Sequence, residues 1–165
     1  MNSRKIRSLL RSPAFAVALV AVFAGTAIAT DANSGFNATR LARGTISGPV
    51  QFNVGEVKFQ TKADVDVVTA TVTIAPGGSS GWHTHPGIVL VTVKAGGGSG
   101  SVTLYHGSCS PTVHEPGSVF IETAEGGPGL ARNEGSTNAV LYVTYLVPTG
   151  AAVRIDQENP GCPQN

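Results

Sequence analysis

The sequence predicts an all-β protein with a single domain. Three observations predict it. Short runs rich in Val, Ile and Thr recur along the chain. Turns rich in glycine separate them, in a chain that holds 21 Gly and 10 Pro. No window after residue 30 sustains an apolar period of 3.6 residues, so helix content is expected to be low. Short strands at regular spacing with such turns point to a sandwich or a barrel.

The N-terminus is set apart. Arg4, Lys5, Arg7 and Arg11 make a basic start, and residues 14–29 carry no charge. Ala27-Ile28-Ala29 fits the small-x-small pattern of a cleavage site. Residues 1–29 therefore read as a secretory signal peptide. Its apolar stretch falls short of the ~20 residues a bilayer span needs, so no stable membrane span is expected once it is removed. The protein is expected to be exported, to a periplasm, a cell-wall space or the medium.

Cleavage leaves seven basic and ten acidic residues, a net of −3. No basic run remains, which argues against nucleic acid and anionic membrane as partners. Residues 30–48 are polar and small and read as a loose lead-in. The domain proper is expected over 49–165. Strands are predicted at 50–52, 57–60, 65–74, 87–94, 101–105, 118–122 and 139–147. Breaks fall at 75–81, 96–98 and 126–129, and the last of these reads as a flexible loop. Cys109 and Cys162, the two cysteines, are expected to pair in an oxidising compartment and to tie the C-terminal tail to the middle of the domain. The competing reading joins a cysteine to His106 around a metal.

The functional signal lies in Gly81-Trp82-His83-Thr84-His85-Pro86-Gly87. His83 and His85 stand two apart before a β-branched run. On a strand such positions face the same side, so the two imidazoles would converge as ligands of one metal ion would. Trp82 and Thr84 would face the other way, with Trp82 packing. Two imidazoles alone hold a metal weakly. His106, His114, Glu122 and Tyr145 are the candidates to complete the shell or line a pocket, and spacing selects none of them. His106 and His114 otherwise read as surface residues of a turn-rich segment. Tyr142 and Tyr145, three apart, face opposite sides; one could reach the interior and offer a phenol to a ligand, and the plainer reading packs both at the wall. Arg132 and Glu134 should face outward and pair. No nucleophile elbow, phosphate loop, dinucleotide fingerprint or Cys-x-x-Cys is present.

The stretch Gly77…His83-x-His85…Gly96, followed by Pro116-Gly117 and by Asn133 in Ala131-Arg132-Asn133-Glu134-Gly135, resembles the two motifs of the cupins. The likeness runs over about residues 65–147 and extends to small exported single-domain bacterial cupins. It implies an antiparallel jelly-roll barrel. It also implies a divalent transition metal, Zn, Mn, Fe, Ni or Cu, held by His83 and His85. Two of the family's four ligands are missing. Val89 or Leu90 stands where the motif has glutamate, and Gly129 where it has its third histidine. The resemblance implies a homodimer and, if the protein is an enzyme, a metal-dependent oxidoreductase or isomerase acting on a small organic substrate. The alternative is a metal-free cupin that serves as a small-ligand binding or structural domain. Fold alone does not choose a reaction.

Overall fold

A computed structural model of the chain describes residues 35–164. The signal-peptide reading of residues 1–29 lies outside the described residues. Twelve strands are present among those described: β1 (Phe36–Ile46), β2 (Gln51–Val54), β3 (Val57–Gln60), β4 (Val65–Ile74), β5 (His83–Thr84), β6 (Ile88–Val93), β7 (Val102–His106), β8 (Pro111–His114), β9 (Val119–Glu122), β10 (Gly129–Arg132), β11 (Ala139–Pro148) and β12 (Ile155–Asp156). Among the described residues a single 3-10 turn, Ala124–Gly126, interrupts them.

The strands form two antiparallel five-stranded sheets, in the orders β1-β4-β11-β6-β9 and β12-β5-β10-β7-β8, with β2-β3 as a separate hairpin. Strand β4 shows how sequence becomes layer. Its burial alternates residue by residue, with Asp66, Val68, Ala70, Val72 and Ile74 inward, as a strand with one face on a core requires. Val72, Ile74, Val89, Val91 and Val93 meet Val102, Leu104 and Ala131 of the other sheet in the main core. A second cluster, Trp82, Tyr105, Leu130 and Cys162, lies behind the other sheet. Trp82 is fully buried there and donates its Nε1–H to the Gln164 carbonyl at 3.1 Å, so it is a packing residue as expected.

Three expectations need correction. The lead-in is not loose: residues 36–46 form β1, which pairs along β4 with a bulge between Arg40 and Ala42. An edge strand with nearly every residue exposed has no need of the alternating pattern that marks a half-buried one. The 126–129 loop ends in strand, because Gly129 opens β10 and pairs with both His83 and His106. His106 closes β7 and His114 closes β8, so neither sits in a mere turn. The Cys109–Cys162 disulfide is present, 53 residues apart in sequence, and the metal reading of the cysteines falls with it.

Candidate metal centre

The turn 77–81 aims the first two side chains. Gly77 and Gly81 take left-handed φ values of 75° and 68°, which glycine adopts without steric cost. The Ser80 hydroxyl oxygen accepts from the Ala131 N–H at 2.9 Å and fastens the turn to β10. From there the chain enters β5, which is held on one side by Gly129 and on the other by Ile155 and Asp156 of β12. His83 and His85 both turn inward, 7% and 6% exposed. Their rings stand perpendicular with centroids 4.8 Å apart.

Each imidazole is fixed from behind. The nitrogen Nδ1 of His83 lies 2.9 Å from the Gly81 carbonyl, and Nδ1 of His85 lies 2.6 Å from the Val153 carbonyl. A carbonyl only accepts, so each Nδ1 carries its hydrogen and each Nε2 is left facing the hollow. This is the orientation in which histidines bind metals, with the outer nitrogen anchored to a carbonyl. Glu122 enters from β9. Its Oε2 lies 3.4 Å from His85 Nε2, and His83, His85 and Glu122 place ligand atoms within 4.8 Å of one another.

The electrostatics follow from burial. Loss of water lowers the His83 pKa to about 4, helped by Arg154 and His85, so the ring is neutral. Burial pushes the Glu122 carboxyl up, but contact with His85 outweighs it and holds the group below its ordinary value. Tyr145 is raised to about 12 by burial and by the Glu122 charge, so it stays a neutral phenol. The cavity among these groups is about 40 Å³. One water needs ~10–15 Å³, so the space suits an ion with a few small ligands.

No family model and no curated protein sequence matches this chain. Solved structures do. The polyketide cyclase RemF from Streptomyces resistomycificus superposes with a TM-score of 0.50 at 15% identity, over 79% of each chain. A cupin superfamily protein from Desulfitobacterium hafniense gives 0.47 at 12% identity, over 70% of this chain and 81% of its own. A cupin-like protein from Thermotoga maritima gives 0.48 at 14%, over 56% and 65%. The likeness is one of fold, an antiparallel jelly roll.

Within this fold the remaining candidates separate. Val89 does stand where the motif has glutamate, but Glu122 pairs with Val89 directly across β6 and β9. A carboxylate thus faces the same hollow from the neighbouring strand. Tyr145 lines the cavity with its ring 5.6 Å from that of His85, while Tyr142 is exposed on the opposite face. Of the two readings of this pair, the structure has the one that brings a phenol to the interior. Arg132 and Glu134 pair at 3.2 Å. His114 stacks on Phe120 with centroids 4.1 Å apart, which leaves it away from the cluster. His106 lies outside the 4.8 Å group. Sequence reasoning missed Val153, whose carbonyl orients His85, and Phe36 of β1, which lines the cavity. A backbone carbonyl leaves no signal in residue identity.

Proposed function

We propose that this exported cupin binds one divalent transition metal through His83 Nε2, His85 Nε2 and a Glu122 carboxylate oxygen. The observation that carries the reading is the orphaned His85 Nε2. It is buried, has no hydrogen-bond partner among the described residues, and lies 3.4 Å from a carboxylate oxygen. With an unprotonated Nε2, two electron-rich atoms would face each other away from water, and a shared cation would satisfy both. Two imidazoles and one carboxylate with open positions suit Fe(II) or Zn(II) best, and also Mn, Ni and Cu. A bound metal would supply Lewis acidity or oxygen activation toward a small molecule. The chain's own residues orient the imidazoles, keep Tyr145 as a phenol donor and exclude bulk water. No particular reaction is assigned. The disulfide supports export, since such bonds persist in oxidising compartments.

The test is elemental analysis of untagged protein after loading with each metal. Near one equivalent is expected for at least one metal, with loss in the His83→Ala/His85→Ala double variant. Sub-stoichiometric content for all five metals, or content unchanged in the double variant, refutes the reading and leaves the metal-free alternative.

The same proposal includes a homodimer. Ile88, Leu90, Val119 and Ile121 are exposed on the outer face of β6 and β9, and Leu90 pairs directly with Ile121. A contiguous apolar patch at a sheet edge is a natural self-association surface. Sedimentation velocity should show a dimer that Ile121→Asp converts to monomer. A monomer in the wild type at high concentration would rule this out.

A further inference from the structure

The chain lacks a ligand at two motif positions, and each gap has a ligand type directly across the sheet. Val89 faces Glu122, and Gly129 faces His106. Gly129 also faces His83 on its other side. Residues opposite one another in antiparallel strands point to the same face. His83, Gly129 and His106 thus form one row across β5, β10 and β7, with both imidazoles on the face that carries the cavity. The glycine leaves the middle of the row open. A Cβ there would sit 3.9 Å from Glu122 Oε1 and 3.7 Å from the nearest other atom, the Tyr105 carbonyl oxygen. The gap therefore borders the carboxylate of the His83–His85–Glu122 cluster.

His106 is prepared to enter that gap. Its Nδ1 is shielded from solvent and has no hydrogen-bond partner among the described residues. Such a buried polar atom is costly unless something satisfies it. Its backbone is fixed, since its carbonyl accepts the Cys109 N–H at 2.7 Å. The disulfide anchors that segment in turn, so only the side chain needs to move. His114 has no such freedom, because its ring is stacked on Phe120.

We propose that His106 is the fourth protein ligand of the metal, swinging over Gly129 on loading and substituting from the adjacent strand for the side chain that Gly129 lacks. This rests on the reading of His83, His85 and Glu122 as ligands. Both missing ligands would then have been replaced by the residue directly opposite on the neighbouring strand, a solution the sheet register makes available and the linear motif conceals.

Pulsed electron paramagnetic resonance of the Cu(II)-loaded protein counts coordinated imidazoles. Three are expected in the wild type and two in His106→Ala, with affinity in a chelator competition weaker by on the order of tenfold or more. His106→Gln serves if the alanine variant does not fold. The His106→Ala/Gly129→His variant should recover the third imidazole. The Gly129 backbone has no left-handed φ and its Cβ position meets only ordinary contacts, and a merely structural role for His106 would not yield this recovery. Two imidazoles in both wild type and His106→Ala, at equal affinity, overturn the proposal while leaving the three-residue site intact. If the wild type binds no copper, or binds it unchanged in the His83→Ala/His85→Ala variant, the three-residue reading fails, and His106 as a ligand fails with it.

Discussion

A buried histidine whose outer nitrogen donates to a carbonyl has its inner nitrogen committed to one direction. His83 and His85 are both in that state, and burial makes protonation unfavourable for His83. The sign of the pH dependence follows. The unfolded chain takes up a proton on this residue near pH 6.5, while the folded one refuses it until about pH 4. The unfolded state binds more protons in that window, so stability rises with pH across it and is fully present above 6.5. Urea unfolding of metal-free protein between pH 4 and 7 should show this slope. His83→Gln should flatten it, and an equal slope in the variant would contradict the assignment. Metal removal should also lower the wild-type melting temperature by mass action, with no effect on His83→Ala/His85→Ala.

Strand β5 is two residues long and cannot persist without its neighbours. It hangs between β10 and β12, and just beyond β12 the Gln157 N–H donates to the Trp82 carbonyl at 3.0 Å. The segment leading into β12 supplies the Val153 carbonyl that orients His85. Cys162 then pins the tail to Cys109, closing a loop of 53 residues. The chain-entropy model gives such a loop about 4 kcal/mol of stabilisation as an upper figure. The Cys109→Ser/Cys162→Ser variant should therefore unfold at lower denaturant. It should also bind metal more weakly, because fraying of β12 frees His85. Unchanged metal affinity would show that the tail does not hold the ligand. Gly87 offers a second check. A Cβ there would lie 2.0 Å from the Leu146 carbonyl oxygen, so Gly87→Ala must push β6 from β11. A loss of about 1–3 kcal/mol is expected in chemical unfolding.

Across the whole molecule, one buried carboxylate joins three segments. Asp66 of β4 accepts from Thr45 Oγ1 at 2.7 Å, from Arg43 Nε at 2.7 Å and from the Gly150 N–H at 2.9 Å. The Gly150 bond first, then Thr45 and Arg43, lower its pKa from 3.8 to about 2. The stabilisation is present above about pH 4 and is lost as pH falls toward 2, since the unfolded chain protonates first. Asp66→Asn should lower stability at pH 7 and remove this acid-sensitive component in pH-dependent urea unfolding. A wild-type acid profile in the variant would show that the clamp contributes nothing.

The amino-acid order alone determined the all-β class, the long alternating strand at 65–74, the packing role of Trp82, the disulfide pair and the inward pair His83 and His85. These are local or pairwise properties, set by side-chain period, turn chemistry and the reactivity of two thiols. It did not reveal β1, whose exposed edge needs no pattern, nor β10, whose opening glycine reads as a turn. Above all it could not choose Glu122 over His114 as the third group at the site. That choice is made by register, because only pairing β6 with β9 sets Glu122 opposite Val89, and pairing is a contact between segments far apart in the chain. Tertiary structure decided it for the physical reason that a side chain's neighbours across a sheet are fixed by hydrogen bonds between strands, which residue spacing along one strand does not encode.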